Sequence, residues 1–158
     1  MANAKTNAQR ILEKEKIPYT AHSYSTEDGK IDGVAVAQKV GIPAEQVFKT
    51  LVTRGASKGI YVFVIPVELE LDLKAAARAV KEKSIEMVQV KELLGLTGYV
   101  RGGCSPVGMK KRYPTVVHSS ALSQPTVVLS AGKIGEQIEL SPDDLKKATG
   151  CEFAEIAR

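Results

Sequence analysis

The residues of this sequence that are most suited to chemistry stand in one stretch, GGCSPVGMKKR, at positions 102–112. Its three glycines and its proline fit neither a helix nor a regular strand, and glycine leaves backbone N–H groups open to close approach by the oxygens of a ligand. The stretch also holds two potential nucleophiles, Cys104 and Ser105. It therefore predicts a catalytic loop, a cradle for the reactive group of a ligand, or an ordinary tight connection.

A serine or cysteine nucleophile requires a general base within hydrogen-bonding distance. The chain has two histidines, His22 and His118, and neither belongs to a recognisable triad pattern. We expect both histidines to be structural, and Cys104 to be a small buried thiol. We expect no metal and no cofactor, because the histidines lack a carboxylate cluster and Cys104 and Cys151 form no C-x-x-C pair.

Lys49 is the second candidate, because it lies in a segment, VFKTLVT, that is typical of a strand. Side chains alternate along a strand, so Lys49 shares one face with Val47 and Leu51. Such a lysine is commonly an edge residue whose stem covers apolar surface while its ammonium reaches water. The alternative is a cation in the wall of a pocket, placed to bind a phosphate or a developing oxyanion. The spacing leaves both interpretations open.

Three consecutive cations, Lys110, Lys111 and Arg112, directly follow the glycines. Such a run is usually a solvated face, but after a glycine loop it is also suited to holding a nucleic-acid backbone. The chain has 22 Lys and Arg against 18 Asp and Glu, a net charge of +4. That balance is compatible with a polyanionic partner, yet it is smaller than that of a dedicated nucleic-acid binder.

Length and composition limit the organisation of the chain. At 158 residues, 44% of them hydrophobic, it can bury one sizeable core, and we predict a single domain spanning residues 1–158. The N-terminal segment MANAKTNAQR lacks an apolar signal core. No stretch approaches the roughly 20 apolar residues that a membrane-spanning helix requires. We therefore expect a soluble cytoplasmic protein with no membrane association.

Helix and strand signals alternate irregularly along the chain. Helices are predicted at TNAQRILEKEKI, capped by Thr6, at GVAVAQKV after Asp32, at LDLKAAARAVKEK after Asp72, at KELLG, and between Ser141 and Gly150. Strands are predicted at YTAHSY, VFKTLVTRG, GIYVFVIP, IEMVQV, PTVVHS, PTVVLS and EQIEL. Several strands lie a hairpin apart without regular β-α-β alternation. We therefore predict a mixed α/β fold of the α+β kind, a curved, largely antiparallel mixed sheet surrounded by helices.

Three of these segments occur together in a known family. VFKTLV, GYVRGGCSPVGMKKRYPTVV and LSAGKIGEQIEL, in that order and at those separations, resemble the YbaK-type bacterial aminoacyl-tRNA deacylases, relatives of the editing domain of prolyl-tRNA synthetase. The resemblance covers essentially the whole chain. Its most specific features are the lysine–threonine pair and the G-G-x-S-P-x-G loop, and it implies the editing-domain fold.

The resemblance implies roles for individual residues. Lys49 matches the essential lysine of the family, and Gly102 matches the glycine whose backbone amide holds the terminal ribose. The substrate-binding residues that it implies are Tyr24, Thr50, Gly103, Ser105, Ser130 and Gln137. Lys110, Lys111 and Arg112 are the expected contacts to the tRNA. This chain departs from the family at Gln137, where many relatives have an aspartate, and at residues 25–32, which lack an aromatic lining.

The resemblance also implies an activity, the removal of cysteine mistakenly attached to proline tRNA. In cysteine-specific members, the cysteinyl thiol attacks its own ester carbonyl, closes a thiolactone and expels the terminal hydroxyl of the tRNA. This fits a sequence without a triad, because the protein then has only to bend the aminoacylated end and bind the developing charge. On this interpretation the glycine loop is a cradle and Cys104 is incidental.

Other functions stay open at the level of sequence. One is a hydrolytic deacylase for another small aminoacyl group, Ala or Ser; another is a module that binds the tRNA 3′ end without turnover; a third is a small-molecule enzyme with a phosphate in the loop. Fit alone separates cysteine from alanine or serine by only about 1–3 kcal/mol, whereas self-cyclisation selects for a thiol. The implied partners are Cys-tRNA(Pro) and, since the chain has no evident anticodon-reading module, prolyl-tRNA synthetase.

Overall fold

The computed structural model describes residues 5–158; residues 1–4, where the segment without a signal core begins, lie outside that part. Within it the helices are α1 (Asn7–Lys14), α2 (Gly33–Val40), α3 (Leu73–Ala79), α4 (Val90–Thr97) and α5 (Pro142–Thr149). The strands are β1 (Thr20–Ser23), β2 (Phe48–Gly55), β3 (Ile60–Pro66), β4 (Ile85–Met87), β5 (Thr115–His118), β6 (Val127–Lys133), β7 (Glu136–Leu140) and β8 (Glu152–Ala154). Short 3-10 turns lie at Ala44–Gln46 and Ser119–Ser123.

Local signals explain where the helices begin and end. The side chains of the four predicted caps each accept a hydrogen bond from a backbone N–H of the first turn: Thr6, Asp32, Asp72 and Ser141. These bonds satisfy donors that a helix leaves unpaired at its start. α2 and α5 end at Gly41 and Gly150, which adopt the left-handed conformation. The four predicted caps and the predicted end of α5 are confirmed.

The strands are arranged in two sheets. A three-stranded antiparallel sheet has the order β1-β7-β6, and a five-stranded sheet has the order β4-β2-β3-β5-β8. In the larger sheet β2 pairs antiparallel with β3 and β4, whereas β5 runs parallel to β3 and β8. An isolated parallel bridge between Val47 and Val128 links the two sheets. The mixed, largely antiparallel fold is confirmed, and the curved sheet expected from the sequence is divided in two at this bridge.

Apolar side chains pack on both faces of the five-stranded sheet. Phe48 and Val52 of β2 belong to the largest cluster, which also contains Leu129 of β6, Ile138 of β7 and Leu12 of α1. On the other face, Leu51 packs against a second cluster that includes residues of α3. Burying one such side chain contributes about 1.5–3 kcal/mol, so both faces hold the start of β2 in place. The alternation predicted for β2 is confirmed.

Some elements differ from the sequence prediction. The strand predicted at IEMVQV is wrong beyond Met87, because Gln89 begins α4 and its backbone N–H donates to Glu92 Oε2 at 3.0 Å. The strand β8 was not predicted, since it is only three residues long. α1 and α3 end earlier than predicted, and Lys16 and Lys81 beyond them adopt positive φ. That the whole chain forms one domain stays a prediction.

Candidate functional site

A cavity of about 720 Å³ opens beside the bridge between the two sheets. Cavities of roughly 300–1,000 Å³ are typical of small-ligand sites. Its polar lining residues stand among aliphatic side chains of α2 and β2: Tyr24, Asp32, Lys49, Thr50, Arg101, Ser130 and Gln137. Gly102 and Cys104 of the glycine loop complete one wall. The cavity therefore combines an apolar surface with a few convergent polar groups.

The structure brings six of the predicted site residues together in this cavity: Tyr24, Lys49, Thr50, Gly102, Ser130 and Gln137. They come from five places in the chain. β2 supplies the lysine–threonine pair, the residue after β1 supplies the tyrosine, and β6 and β7 supply the serine and the glutamine, which face each other in the sheet register. Gly103, Ser105 and the cations at 110–112 do not line the cavity.

Lys49 lies at the start of β2 opposite Ile65 of β3 and is partly exposed to the cavity. Among residues 5–158, no carboxylate lies within ion-pair distance of its ammonium. The one acidic lining residue, Asp32, uses Oδ1 to accept a hydrogen bond from the N–H of Ala35 at 3.0 Å. The positive charge of Lys49 is thus free to bind an anion in the cavity.

Two hydroxyl groups in the cavity wall lack a partner in the part of the chain that the structure describes. Tyr24 Oη and Thr50 Oγ1 are both buried without a hydrogen bond. Leaving such a group unsatisfied costs about 1–3 kcal/mol, which a ligand with matching donors or acceptors recovers. Gln137, 5% exposed, likewise makes no side-chain hydrogen bond to a described residue. Ser130 Oγ accepts from the N–H of Gly132 at 3.1 Å.

In the glycine loop, Gly102 lines the cavity with a backbone amide that has no acceptor in the described part of the chain. Gly102 has φ +87° and is exposed, and within residues 5–158 its N–H has no acceptor. The N–H of Gly103 instead donates to the carbonyl of Val100 at 3.0 Å. A Cβ on Gly103 would lie 2.9 Å from the backbone nitrogen of Ile134, so only glycine permits the loop to pack on the β6–β7 hairpin. Gly103 thus shapes the loop and Gly102 faces the ligand space.

Neither potential nucleophile is activated. Burial raises the pKa of the Cys104 thiol to about 12, so the thiolate is negligible near neutral pH. Ser105 is fully buried, and its Oγ accepts a hydrogen bond from the N–H of Val107 at 3.2 Å. The two histidines are engaged elsewhere, His22 with Glu139 at 2.6 Å and His118 with the N–H of Ile156 at 3.2 Å. This geometry favours the cradle over the catalytic loop.

The cationic run after the loop lies outside the cavity. Lys110, Lys111 and Arg112 are exposed, and the last two line a separate crevice of about 190 Å³. The guanidinium of Arg112 donates to the carbonyls of Thr149 at 3.2 Å and Ala148 at 3.3 Å, at the end of α5. Arg112 therefore holds a helix terminus, whereas the other two carry free charge.

Sequence reasoning missed several residues of the cavity. Arg101, exposed at the mouth, and Ile31, Val34 and Val36 around the start of α2 all line it. Arg101 could have been predicted as a lining residue, because it directly precedes Gly102. Ile31, Val34 and Val36 could not be predicted, because the cap at Asp32 indicates where α2 begins but not which sheet the helix packs against.

Within residues 5–158, no group of three or more His, Cys, Asp or Glu side chains is placed to hold a metal ion. No helix of that part is both long and apolar enough to cross a bilayer.

The fold is that of a known family. Residues 31–148 match the family described as the aminoacyl-tRNA editing domain, and the chain belongs to this family, as its motifs predicted. A relative from Enterococcus faecalis, named as a candidate Cys-tRNA(Pro)/Cys-tRNA(Cys) deacylase, EbsC, is 45% identical over 152 residues, which is 96% of this chain and 93% of the relative.

Solved structures show the same architecture. A candidate trans-editing enzyme for prolyl-tRNA synthetase superposes with a TM-score of 0.85 at 25% identity, covering 99% of both chains. A hypothetical protein superposes with a TM-score of 0.88 at 22% identity, covering 97% of this chain and all of the other. The second likeness shows the fold alone.

Proposed function

We propose that this protein is a trans-editing deacylase that removes cysteine mischarged on proline tRNA. The observation that carries the proposal is the cavity itself, which offers an unpaired ammonium and a free backbone amide but no activated nucleophile. Such a site suits a substrate that brings its own nucleophile. The names of the Enterococcus relative and of the solved trans-editing enzyme support this choice of substrate.

The proposed reaction needs no covalent bond to the protein. The thiol of the cysteinyl group loses its proton and attacks the ester carbonyl carbon, which forms a C–S bond. The tetrahedral oxyanion then collapses, the C–O bond to the terminal ribose breaks, and the ribose oxygen takes up a proton. The products are a four-membered thiolactone and uncharged tRNA. Lys49 binds the terminal phosphate or the oxyanion, and the Gly102 N–H holds a ribose oxygen.

The remaining predicted residues have supporting roles in this proposal. The free groups of Tyr24, Thr50 and Gln137, together with Ser130, contact the aminoacyl end and the terminal adenosine. Gly103 and Ser105 act through the loop, since the first packs on the β6–β7 hairpin and the second holds the Val107 N–H. The proposed contacts to the phosphates of the tRNA body are Lys110, Lys111 and Arg112.

A pair of substitutions tests the proposal. We expect Lys49→Ala to lose most deacylation of Cys-tRNA(Pro), on the order of 100-fold or more in kcat/KM, because the developing charge loses its counter-ion. Cys104→Ala should change the rate less than about twofold, since the thiol is protonated near neutral pH. Lys74→Ala, on the exposed surface of α3, is the matched lysine control. Activity that survives in Lys49→Ala would overturn the role of the ammonium.

The choice of substrate is tested with a panel of Cys-, Ala-, Ser- and Pro-charged tRNA. Substoichiometric protein should convert excess Cys-tRNA(Pro) and release thiolactone. Equal rates on Ala-tRNA would instead make water the nucleophile and the protein a hydrolytic deacylase. Saturable retention without loss of any ester would make it a binding module for the tRNA 3′ end.

We also propose prolyl-tRNA synthetase as the partner that supplies selectivity for proline tRNA. The net charge of +4 supports weak, sequence-blind contact with the tRNA body rather than recognition of one tRNA. Adding purified synthetase should lower the KM for Cys-tRNA(Pro) relative to Cys-tRNA(Cys). An unchanged ratio of the two KM values would argue against this partner.

A further inference from the structure

The wall of the cavity opposite β2 is built by the connection between β1 and α2. Tyr24 and Ile31 line the cavity at the two ends of this connection. A Cβ placed on Gly102 would lie 3.0 Å from Ile31 Cδ1, so the connection also borders the glycine loop. The position of this wall therefore sets both the reach of the Tyr24 hydroxyl and the space beside the Gly102 amide.

The six residues between those ends, 25–30, are all exposed. They form a tight turn in which the N–H of Gly29, at φ +72°, donates to the carbonyl of Thr26 at 3.1 Å. Since none of the six is buried, hydrophobic packing does not fix the turn. Some other interaction has to fix it if Tyr24 and Ile31 are to keep their places.

One side chain, Lys39 in the last turn of α2, supplies that interaction. Its ammonium donates to the carbonyl of Ser25 at 2.7 Å, to Asp28 Oδ1 at 2.7 Å and to the carbonyl of Lys30 at 2.8 Å. These acceptors stand at the beginning, middle and end of the turn. All three donors of one ammonium are thus used by one segment of six residues.

Lys39 also touches the cavity wall directly. Its ammonium lies 5.8 Å from the centroid of the Tyr24 ring, within the range of a cation–π contact. The Lys39 side chain is only 20% exposed, although its acceptors lie in the exposed turn. The same cation therefore joins the exposed turn, the ring of Tyr24 and the helix α2, whose start lines the cavity.

We propose that Lys39 is a positioning residue for the deacylation reaction, which holds the Tyr24–Ile31 wall in the geometry that the aminoacyl end requires. The kinetic part of this inference rests on the proposed function. Lys39 does not line the cavity, so its effect passes through Tyr24 and Ile31. It acts on the pose of the bound substrate rather than on the binding of the tRNA body.

Lys39→Met tests the kinetic part, because methionine keeps most of the side-chain length without the ammonium. We expect kcat for Cys-tRNA(Pro) to fall about 10- to 100-fold while KM changes less than about threefold, since small misplacements of reacting groups carry such effects. Lys39→Arg should recover part of the loss. The control is Lys30→Met, an exposed lysine of the same turn whose ammonium makes no hydrogen bond or ion pair in the described part of the chain and acts on Asp28 only through its charge. Equal kcat in Lys39→Met and wild type would overturn the proposal.

A second measurement is independent of activity. A glutamate-specific protease should nick Lys39→Met at Glu27 at least tenfold faster than wild type or Lys30→Met, because the turn opens more often. Asp28→Ala, which removes one exposed acceptor, should give an intermediate rate. Equal nicking in all variants would overturn the positioning role. If wild type shows no deacylation but the nicking differs as expected, the proposed function fails and the role of Lys39 in the wall stands.

Discussion

At the scale of single residues, Gly102 combines a backbone conformation that favours glycine with a place in the cavity wall. Its φ of +87° lies in the left-handed region, and its N–H has no acceptor in the described part of the chain. Ile31 closes the space on its side-chain face. A Cβ at this position would therefore strain the loop, because the backbone is left-handed and the end of the Ile31 side chain would have to move.

We predict that Gly102→Ala lowers stability by about 1–2 kcal/mol through left-handed strain. The loop should also shift away from Ile31, and kcat for Cys-tRNA(Pro) should fall roughly 10- to 100-fold. Urea denaturation and steady-state kinetics measure the two effects. Gly95→Ala is the control, because a Cβ there meets nothing within 4 Å in α4, and it should be neutral or stabilising. A fully active Gly102→Ala would show that the amide is not used.

The site was predictable from the sequence where a motif fixes a residue to a regular element. Lys49 and Thr50 follow from the strand pattern and the family resemblance, and the structure places both in the cavity. Ser105 shares the same motif, yet its side chain turns to the backbone of its own loop. A sequence motif identifies the residues of a loop but not where their side chains point, because side-chain direction depends on turn geometry and on the hairpin that the loop packs against.

At the scale of elements, the cationic run and α5 form one unit. Arg112 supplies donors to the last carbonyls of α5, which a helix leaves unpaired. Its neighbour Lys111 is exposed, and its side chain makes no described hydrogen bond. Arg112 and Lys111 carry the same charge and lie in the same crevice. Substitutions at these positions therefore distinguish the stabilisation of α5 from the effect of the positive charge.

We predict that Arg112→Met lowers the free energy of unfolding by about 1 kcal/mol, whereas Lys111→Met leaves it unchanged. If both cations contact tRNA phosphates, the two variants should raise the KM for tRNA to a similar extent and reduce its salt dependence. Thermal or urea unfolding gives the first quantity, and kinetics at several salt concentrations give the second. Equal stability of the two variants would contradict the capping role of Arg112.

Elements with strong local signals were predicted well, and short ones were not. The caps of four helices and the paired strands β2 and β3 follow from side-chain chemistry and β-branched runs. Val88 and Val90 are β-branched and favour a strand. The hydrogen bond from the Gln89 N–H to Glu92 at the start of α4 overrides that propensity. β8 depends on pairing with β5, which lies far from it in the sequence. The local pattern of hydrophobic residues does not predict such a contact.

At the scale of the whole molecule, the C-terminal strand ties the chain end to the middle of the fold. β8 pairs parallel with β5, and the N–H of Ile156 just beyond it donates to His118 Nδ1 at 3.2 Å. Ile156 is fully buried in the cluster that packs against α3. His118, 7% exposed, therefore accepts a bond that fixes the chain end only while Nδ1 carries no proton.

This arrangement makes the stability of the fold depend on pH. Burial lowers the pKa of His118 below its ordinary value of 6.5, with Glu155 opposing the shift. Well above 6.5 the imidazole is neutral in both the folded and the unfolded chain, so it adds no pH dependence there. Below that value the unfolded chain binds a proton that the folded chain resists, and stability falls with pH until the folded pKa is passed.

We therefore expect the urea midpoint of the wild type to be lower at about pH 5 than at about pH 7.5, with part of the difference due to His118. His118→Asn can accept the same bond through its side-chain oxygen but does not titrate, so its midpoint should depend less on pH. The bond itself is worth about 0.5–1.5 kcal/mol, which limits the stability that His118→Ala loses at neutral pH through this contact. Identical pH profiles for wild type and His118→Asn would show that the acid sensitivity lies in the carboxylates, because the shared hydrogen bond leaves titration as the difference between the two proteins.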